Sequence, residues 1–232
     1  ARGKEYSNKN IGNYYKKAES FKDLLGDKAT CWILSQSSTK LPIEDEKIDV
    51  VITDPPYGGN VNYAELADYW TVWLNRDQLI DKTEEIIINK NQQKELNDYE
   101  EGLTRVFEKC YKVLKKEGNM IVTFNSRKLH VVASFVIAAT QAGFTLHPGG
   151  LLYQPPIRAY TTTFHAMQIG AFTGDFIFTF YKPANPISLM LSTDVELKDL
   201  ARTLGASSLQ TSQVIVREAV WGITLAITAS FN

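Results

Sequence analysis

Cysteine and histidine are scarce in this 232-residue sequence, which contains two cysteines and three histidines. Cys31 and Cys110 fall in a predicted strand and a predicted helix, without the short Cys-x-x-Cys spacing of a zinc site. The histidines show no metal-ligand spacing either. We therefore predict two buried free thiols, no disulfide, no metal site and a reducing, cytoplasmic environment.

Long apolar runs and a large net charge are also absent. Polar or charged residues interrupt every apolar run well short of a membrane span, so no membrane partner is expected. The formal net charge of −1 excludes a uniformly basic nucleic-acid binder, although a local basic patch remains compatible with it. With 44% hydrophobic and 22% charged residues, the composition is that of a globular protein with a sizeable core.

The most informative stretch is residues 48–57, where a run of Ile and Val leads into Asp54, Pro55, Pro56 and Tyr57. The run has no helical period and stops at two prolines, which predicts a buried central strand. Ligands of open α/β sheets bind outside the carboxyl ends of the strands. An acid, two rigid prolines and an aromatic ring there predict a small polar and stacking site, and an ordinary Pro-Pro turn is the alternative.

The other predicted elements alternate as in an α/β protein, and the crossover rule then favours a parallel sheet. Glycines at 26, 118 and 143 mark helix ends. The aromatic content of residues 175–181 is typical of an edge or antiparallel strand. Helices are predicted at 14–25, 63–74, 99–114, 131–142, 193–204 and 211–227, and strands at 29–34, 48–53, 119–124, 151–153 and 175–181.

Helix 63–74 carries aromatic and apolar residues at helical spacing, which favours core packing against the sheet over a base-stacking surface. Tyr63 and the preceding Asn62 are exceptions, because they lie nearest to the two prolines. Residues 76–97 are predicted to form a surface excursion, and the connection at 154–174 is too long for a plain hairpin. The helical stripe of 63–74 consists of Tyr63, Leu66, Trp70, Trp73 and Leu74.

Residues 54–57 match the Asp-Pro-Pro-Tyr signature of the amino-methyltransferases, and we call them the motif. Over about residues 29–183 the sequence also resembles the adenine-specific DNA methylases. It implies an α/β, Rossmann-like methyltransferase sheet, S-adenosylmethionine as cofactor, and DNA with a flipped adenine as substrate. The residues that carry it are the motif with Gly58, Asn62-Tyr63-x-Glu65-Leu66, Trp70-x-x-Trp73-Leu74, residues 111–115 before the strand 121–124, Tyr153-Gln154-Pro155-Pro156 and Gly174-Asp175-Phe176.

The chemistry of a base amine explains the motif. The nitrogen lone pair is delocalised into the ring, so the amine is a poor nucleophile. Acceptance of its two N–H bonds by the Asp54 carboxylate and the Pro55 carbonyl favours a more pyramidal nitrogen. The fixed φ of the prolines holds these acceptors in place, and Tyr57 can stack on the base. Flipping the base out of the duplex costs about a few kcal/mol.

The glycine-rich cofactor loop of this family is missing, since none of the 14 glycines forms a Gly-x-Gly. The acid that would hold the cofactor ribose has no obvious counterpart either. We therefore expect an incomplete sheet whose first two strands lie upstream, rather than a degenerate polypeptide. The expected domains are a catalytic domain at 1–185 and a C-terminal helical extension at 186–232.

The predicted function is methyl transfer to the exocyclic N6 amine of adenine in DNA, as in restriction-modification systems. Asp54, Pro55, Pro56 and Tyr57 are the predicted catalytic residues, and Asp54, Ser37 and Asn125 the cofactor-binding residues. Ser37 lies in a polar loop at a strand end, and a plain polar loop is an equal alternative. Arg158 and His165 are weak candidates for phosphate contacts. An RNA base methyltransferase and a non-catalytic nucleic-acid-binding subunit remain the alternative functions.

Overall fold

The computed structural model describes residues 16–26, 28–74, 81–126, 128–155 and 174–184. The chain divides into two compact units, one up to Glu44 and one from Asp45. Several predictions lie outside the described residues and stay predictions. These are the extension at 186–232 with its helices at 193–204 and 211–227, residues 14–15 of the first helix, most of the connection at 154–174, and the candidates Arg158 and His165.

In the described part of the first unit, the chain forms one short α-helix, α1 (Phe21–Leu25), and a 3-10 turn at Ser38–Lys40. The backbone amide of Ser20 donates a hydrogen bond to the Asp23 carboxylate at 2.9 Å, which satisfies a group at the helix start. The helix ends at Gly26, as predicted, but it begins at Phe21, so residues 16–20 of the predicted helix 14–25 are not helical because Ser20 caps the helix start. The predicted strand at 29–34 is wrong. These residues form only an isolated bridge between Lys17 and Cys31 within the described part of the unit, because an extended segment without a longer partner forms no ladder.

The described part of the second unit is a four-stranded sheet with three α-helices, which confirms the predicted α/β class. The strands are β1 (Ile48–Thr53), β2 (Leu114–Phe124), β3 (Thr145–Gln154) and β4 (Asp175–Tyr181). The helices are α2 (Tyr63–Trp73), α3 (Leu96–Val113) and α4 (Leu129–Gln141). The sheet order is β1-β2-β4-β3. β1 and β2 are parallel, whereas β4 runs antiparallel to β2 and β3.

Several predicted boundaries in the second unit differ from the structure, and α3 and α4 begin two or three residues earlier than predicted. β2 follows α3 directly and starts at Leu114, so Gly118 lies inside the strand and is not a helix end. A Cβ at Gly118 would lie 2.9 Å from the Lys115 carbonyl oxygen, so the glycine serves close backbone approach. β3 is longer than the predicted 151–153, and β4 is antiparallel as predicted but lies between two strands.

The core lies between one face of the sheet and helices α3 and α4. Phe135 of α4 stacks on Phe124 of β2 with ring centroids 4.3 Å apart, and its edge meets Phe178 of β4 at 5.0 Å. The predicted stripe of α3 is confirmed, because Leu103 and Phe107 are fully buried. This aromatic packing holds α3 and α4 against β2 and β4. Tyr57 of the motif contacts the same cluster through Phe124.

Helix α2 and part of strand β1 are largely exposed, which corrects two predictions. β1 lies at one end of the described sheet instead of in its centre, and Ile52 is 77% exposed. The α2 stripe does not pack in the core: Tyr63, Leu66, Trp70, Trp73 and Leu74 are all exposed, Trp73 by 74%. Helical spacing identifies the apolar side of a helix, but it does not say what covers that side.

Both cysteines are free thiols as predicted, Cys110 buried and Cys31 only half-buried. No group of three or more potential metal-ligating side chains occurs in the part of the chain that the structure describes. No helix within that part has the length and apolar character to cross a membrane.

Candidate active site

The motif leaves β1 at its carboxyl end, as the sequence predicts. Strand β1 ends at Thr53, which pairs with Val122 of β2. Asp54 is exposed, Pro55 is buried, and Pro56 and Tyr57 are half-buried. The two prolines have no N–H to extend the ladder, so the backbone turns away from the sheet here and presents the acid to solvent.

Asp54 and Tyr57 are bound to each other. The Tyr57 hydroxyl donates a hydrogen bond to Oδ1 of Asp54 at 2.6 Å, and its ring meets Phe124 edge-on at 5.1 Å. Burial, followed by this bond and the Asp54 charge, raises the pKa of Tyr57 well above its ordinary value. The hydroxyl therefore stays a neutral donor at physiological pH. Among the described residues, nothing else bonds to the Asp54 carboxylate.

The backbone of the motif is anchored at the Pro56 carbonyl. This oxygen accepts a hydrogen bond from the hydroxyl of Tyr99 at 2.5 Å and one from the amide of Gly58 at 3.1 Å. Tyr99 lies in the first turn of α3 and is fully buried. The Pro55 carbonyl, by contrast, has no donor among the described residues.

Two glycines after the motif fit tight spaces. Gly58 has φ +65°, and a Cβ there would lie 3.0 Å from Cγ1 of Val131 on α4. A Cβ at Gly59 would lie 2.4 Å from the Ile88 carbonyl oxygen, and the Ile88 amide donates to the Gly58 carbonyl at 3.3 Å. Residues 58–59 are thus clamped between α4 and the segment around Ile88, a close approach that a larger residue prevents.

A polar network ties the start of α2 to residues 85–92. The Glu65 carboxylate accepts hydrogen bonds from the side-chain amides of Asn89 at 2.8 Å and Asn62 at 3.1 Å. These two bonds lower the pKa of Glu65. Glu85 accepts the backbone amide of Ala64 at 2.9 Å, one of the amides that lack a partner within the helix. Residues 85–92, which belong to the segment predicted to lie on the surface, therefore stabilise the loop that follows the motif.

The predicted site residues fall into two groups. Asn125 follows β2, the parallel neighbour of β1, so it lies at the same edge of the sheet as Asp54 and Tyr57. Its side-chain amide donates to the Gly174 carbonyl at 2.8 Å. Ser37 belongs to the other compact unit, where its hydroxyl pairs with that of Thr39 at 2.9 Å. The cofactor roles of Ser37, Asn125 and Asp54 stay predictions.

The sequence patterns do not indicate two features of the site. Tyr99 was assigned only to the buried stripe of its helix, although a tyrosine inside a core needs a partner for its hydroxyl. The apolar residues around Ile88 were assigned to the surface, yet Ile87 is 1% exposed and Ile88 packs against the core. Three consecutive isoleucines in a polar segment are the signal that would have indicated an anchor.

The arrangement presents two acceptors and a ring at one edge of the sheet. The acceptors are Oδ2 of Asp54 and the Pro55 carbonyl oxygen, both without a donor among the described residues. A planar amine has two N–H donors, which two such acceptors can bind at once. Because the rigid loop holds the acceptors before the amine arrives, little reorganisation is needed on binding.

The solved structures that are similar to the chain include three from different organisms. One is an S-adenosyl-L-methionine complex of a protein provisionally assigned as a DNA modification methylase from Thermus thermophilus, with 14% identity, TM-score 0.36 and coverage of 69% of this chain and 54% of that one. A SAM-dependent methyltransferase from Methanosarcina mazei has 10% identity, TM-score 0.37 and coverage of 68% and 69%. A protein from Listeria monocytogenes provisionally assigned as an S-adenosylmethionine dependent methyltransferase has 9% identity, TM-score 0.37 and coverage of 72% and 78%.

This chain thus spans about half the length of the Thermus thermophilus protein. No curated protein sequence matches the chain. The family model described as DNA methylase, of the N6/N4 amino-methyltransferase type, matches residues 48–187. That range begins at β1, includes the whole motif and covers more than half of the sequence. The chain therefore belongs to the DNA methylase family.

Proposed function

We propose that this chain carries the amine-binding side of a DNA methyltransferase that acts on the N6 amine of adenine. The observation that supports this most is the pairing of an exposed Asp54 carboxylate with a Pro55 carbonyl that has no donor among the described residues. The family match supports the coarser assignment, a DNA methylase of the N6/N4 type.

In this proposal, Asp54 and the Pro55 carbonyl accept the two N–H bonds of the amine and hold its lone pair toward the methyl donor. Tyr57 offers its ring to the flipped base, and edge contacts and stacking offset the cost of flipping, which is about a few kcal/mol. The amine nitrogen would gain the methyl carbon while the carbon–sulfur bond of the donor breaks and its electron pair stays on sulfur, and the nitrogen would then give up one proton. Asp54, exposed to solvent, is the acidic group of the motif through which that proton can leave.

S-adenosylmethionine is the methyl donor in this proposal, because the amino-methyltransferases whose Asp-Pro-Pro-Tyr signature the motif matches use it. The described residues fit the donor only in part. They provide the motif and the predicted contacts of Ser37 and Asn125, whereas no Gly-x-Gly loop occurs in the sequence. The donor supplies an activated methyl group when bound, and the described residues supply the acceptor side of the reaction.

The test is transfer of a labelled methyl group by the full chain to duplex DNA, single-stranded DNA and RNA. We expect label in adenine of DNA, and a loss of at least about 100-fold in Asp54→Ala, the scale seen when a preorganised polar group is removed. Asp49→Ala is the matched control, since Asp49 is also an exposed acid on β1 and its carboxylate pairs with Lys115 at 2.6 Å.

The outcomes separate the alternatives. Methyl label in cytosine would leave the DNA methylase assignment in place and overturn adenine as the target base. Label in RNA alone would overturn DNA as the substrate. Full activity of Asp54→Ala overturns the role of Asp54. Absence of transfer to every substrate, with DNA still bound, supports a non-catalytic subunit instead.

A further inference from the structure

We infer that Tyr99 is the positioning residue of the motif: its hydroxyl holds the Pro56 carbonyl and so leaves the Pro55 carbonyl for the amine. The part of this inference that concerns the amine rests on the proposed function. The part that concerns the backbone rests on the hydrogen bonds alone. No sequence pattern assigns Tyr99 this role, because it lies 43 residues beyond Pro56.

The motif has few ways of being held. Its four residues contain two prolines, so only Asp54 and Tyr57 have a backbone N–H. The loop must therefore be fixed through its carbonyl oxygens and side chains. Among the described residues, the one carbonyl of this loop that a side chain binds is that of Pro56, and the side chain is Tyr99.

Tyr99 is well suited to hold a carbonyl in one position. It is fully buried in the first turn of α3, and the core that surrounds it includes Leu103 and Phe107 of the same helix. Burial raises the pKa of Tyr99 well above its ordinary value, and the Gly58 backbone opposes this shift. The hydroxyl is therefore a permanent donor on a rigid helix, and a buried hydroxyl is costly unless it is bonded.

The Tyr99 bond also decides which carbonyl stays available. The Pro56 carbonyl is doubly occupied, by the Tyr99 hydroxyl and the Gly58 amide, and so it cannot turn toward a base. The preceding carbonyl, that of Pro55, is coupled to it, because the ring of Pro56 fixes φ between the two peptide groups. Loss of the Tyr99 hydroxyl allows the Pro56 peptide to rotate, and the Pro55 and Pro56 carbonyls then no longer have one fixed direction.

Tyr99→Phe in the full chain is the test, with Tyr111→Phe as the matched control. Tyr111 lies on the same helix about three turns further on, where its ring packs edge-on against Phe144 at 5.2 Å. Two readouts are needed. One is amide hydrogen exchange at Gly58, whose N–H binds the same carbonyl, and the other is the separation of kcat from KM in methyl transfer.

We expect Tyr99→Phe to speed exchange at Gly58 by about 3–10-fold, the effect of losing one typical hydrogen bond. Exchange in the middle of α3 should stay unchanged. The same substitution should lower kcat by about tenfold with little change in KM for DNA, because the acceptors matter most in the transition state. Tyr111→Phe should change neither readout.

Each outcome decides the inference. Unchanged Gly58 exchange in Tyr99→Phe overturns it whether or not the protein is a methyltransferase. Faster exchange with an unchanged kcat overturns the positioning of the amine acceptor. If the wild type transfers no methyl group, the proposed function fails, and the exchange measurement still decides whether Tyr99 holds the motif.

Discussion

The Tyr57 hydroxyl binds Oδ1 of Asp54 at 2.6 Å, so the stacking side chain and the acidic side chain of the motif occupy each other in the absence of substrate. A base that enters the site has to displace this hydroxyl or use the other carboxylate oxygen. The bond therefore competes with substrate for the same group. Removal of the Tyr57 hydroxyl should therefore distinguish stacking of the ring on the base from the hydrogen bond to Asp54.

Tyr57→Phe keeps the ring and removes the competing hydroxyl, so we expect methyl transfer close to that of the wild type. Tyr57→Ala removes the ring and should lower kcat/KM by about 10–100-fold, corresponding to about 1–3 kcal/mol of base stacking. Steady-state kinetics on a DNA duplex measure both. If Tyr57→Phe is as inactive as Tyr57→Ala, the hydroxyl itself takes part and a stacking role alone is insufficient.

The exposed stripe of α2 leads to a prediction about stability. Trp73 is 74% exposed, so Trp73→Ala should change the free energy of unfolding by less than about 0.5 kcal/mol. Phe135 is fully buried among aromatic rings, and Phe135→Ala should lower the same free energy by about 3–5 kcal/mol. Urea unfolding followed by circular dichroism compares them. Equal losses in the two variants would mean that α2 packs against a core after all.

The close contact between Gly59 and the Ile88 carbonyl leads to a prediction about the position of the motif. Gly59→Ala places a Cβ 2.4 Å from the Ile88 carbonyl oxygen, so the backbone has to shift, at a cost of about 1–3 kcal/mol. Because the motif moves with it, methyl transfer should fall as well. Gly149→Ala is the control: Gly149 has φ +72° and open space around it, so the variant suffers strain of about 1–2 kcal/mol without a clash.

The activity assay distinguishes the two glycine variants. Gly149 lies in β3, away from the motif, and Gly149→Ala should therefore keep wild-type transfer at a temperature where the protein is folded. Equal activity of Gly59→Ala and Gly149→Ala would show that the contact with Ile88 does not control the motif.

The two cysteines should differ in reactivity. Burial raises the pKa of Cys110 to about 11, so only about one molecule in a thousand carries this thiolate at pH 8 in the folded state. Cys31 is half-buried and should react first. A colorimetric thiol reagent should detect one fast thiol in the native chain and the second after unfolding. Two fast thiols would indicate that α3 opens readily, and Cys31→Ser identifies which thiol is which.

The sequence predicts the parts of this fold that depend on local chemistry. Two prolines after an Ile/Val run end β1 where predicted, and the apolar stripe of α3 is buried as its period indicates. The sequence does not reveal which sheet face is covered. The exposure of Ile52 and of the α2 stripe depends on neighbours that are distant along the chain, and hydrophobic period carries no information about them.

The same distinction applies to the site. The identity and edge position of Asp54, Pro55, Pro56 and Tyr57 follow from the motif and from where the strand ends. The partners that hold the motif come from α3 and from residues near Ile88, and both are defined only when the chain has folded. The pairing of Asn125 with Gly174 is equally non-local, with 49 residues between them in sequence.

The long sequence separation between Tyr99 and Pro56 has a consequence for how activity develops during folding. Contacts between residues 43 positions apart form only after the intervening chain has paid the entropy of loop closure. The loop can therefore reach its final shape only once α3 has docked on the sheet. A nascent or partly unfolded chain would contain every residue of the motif and still lack a defined pair of acceptors, so competence for chemistry should appear together with the completed core.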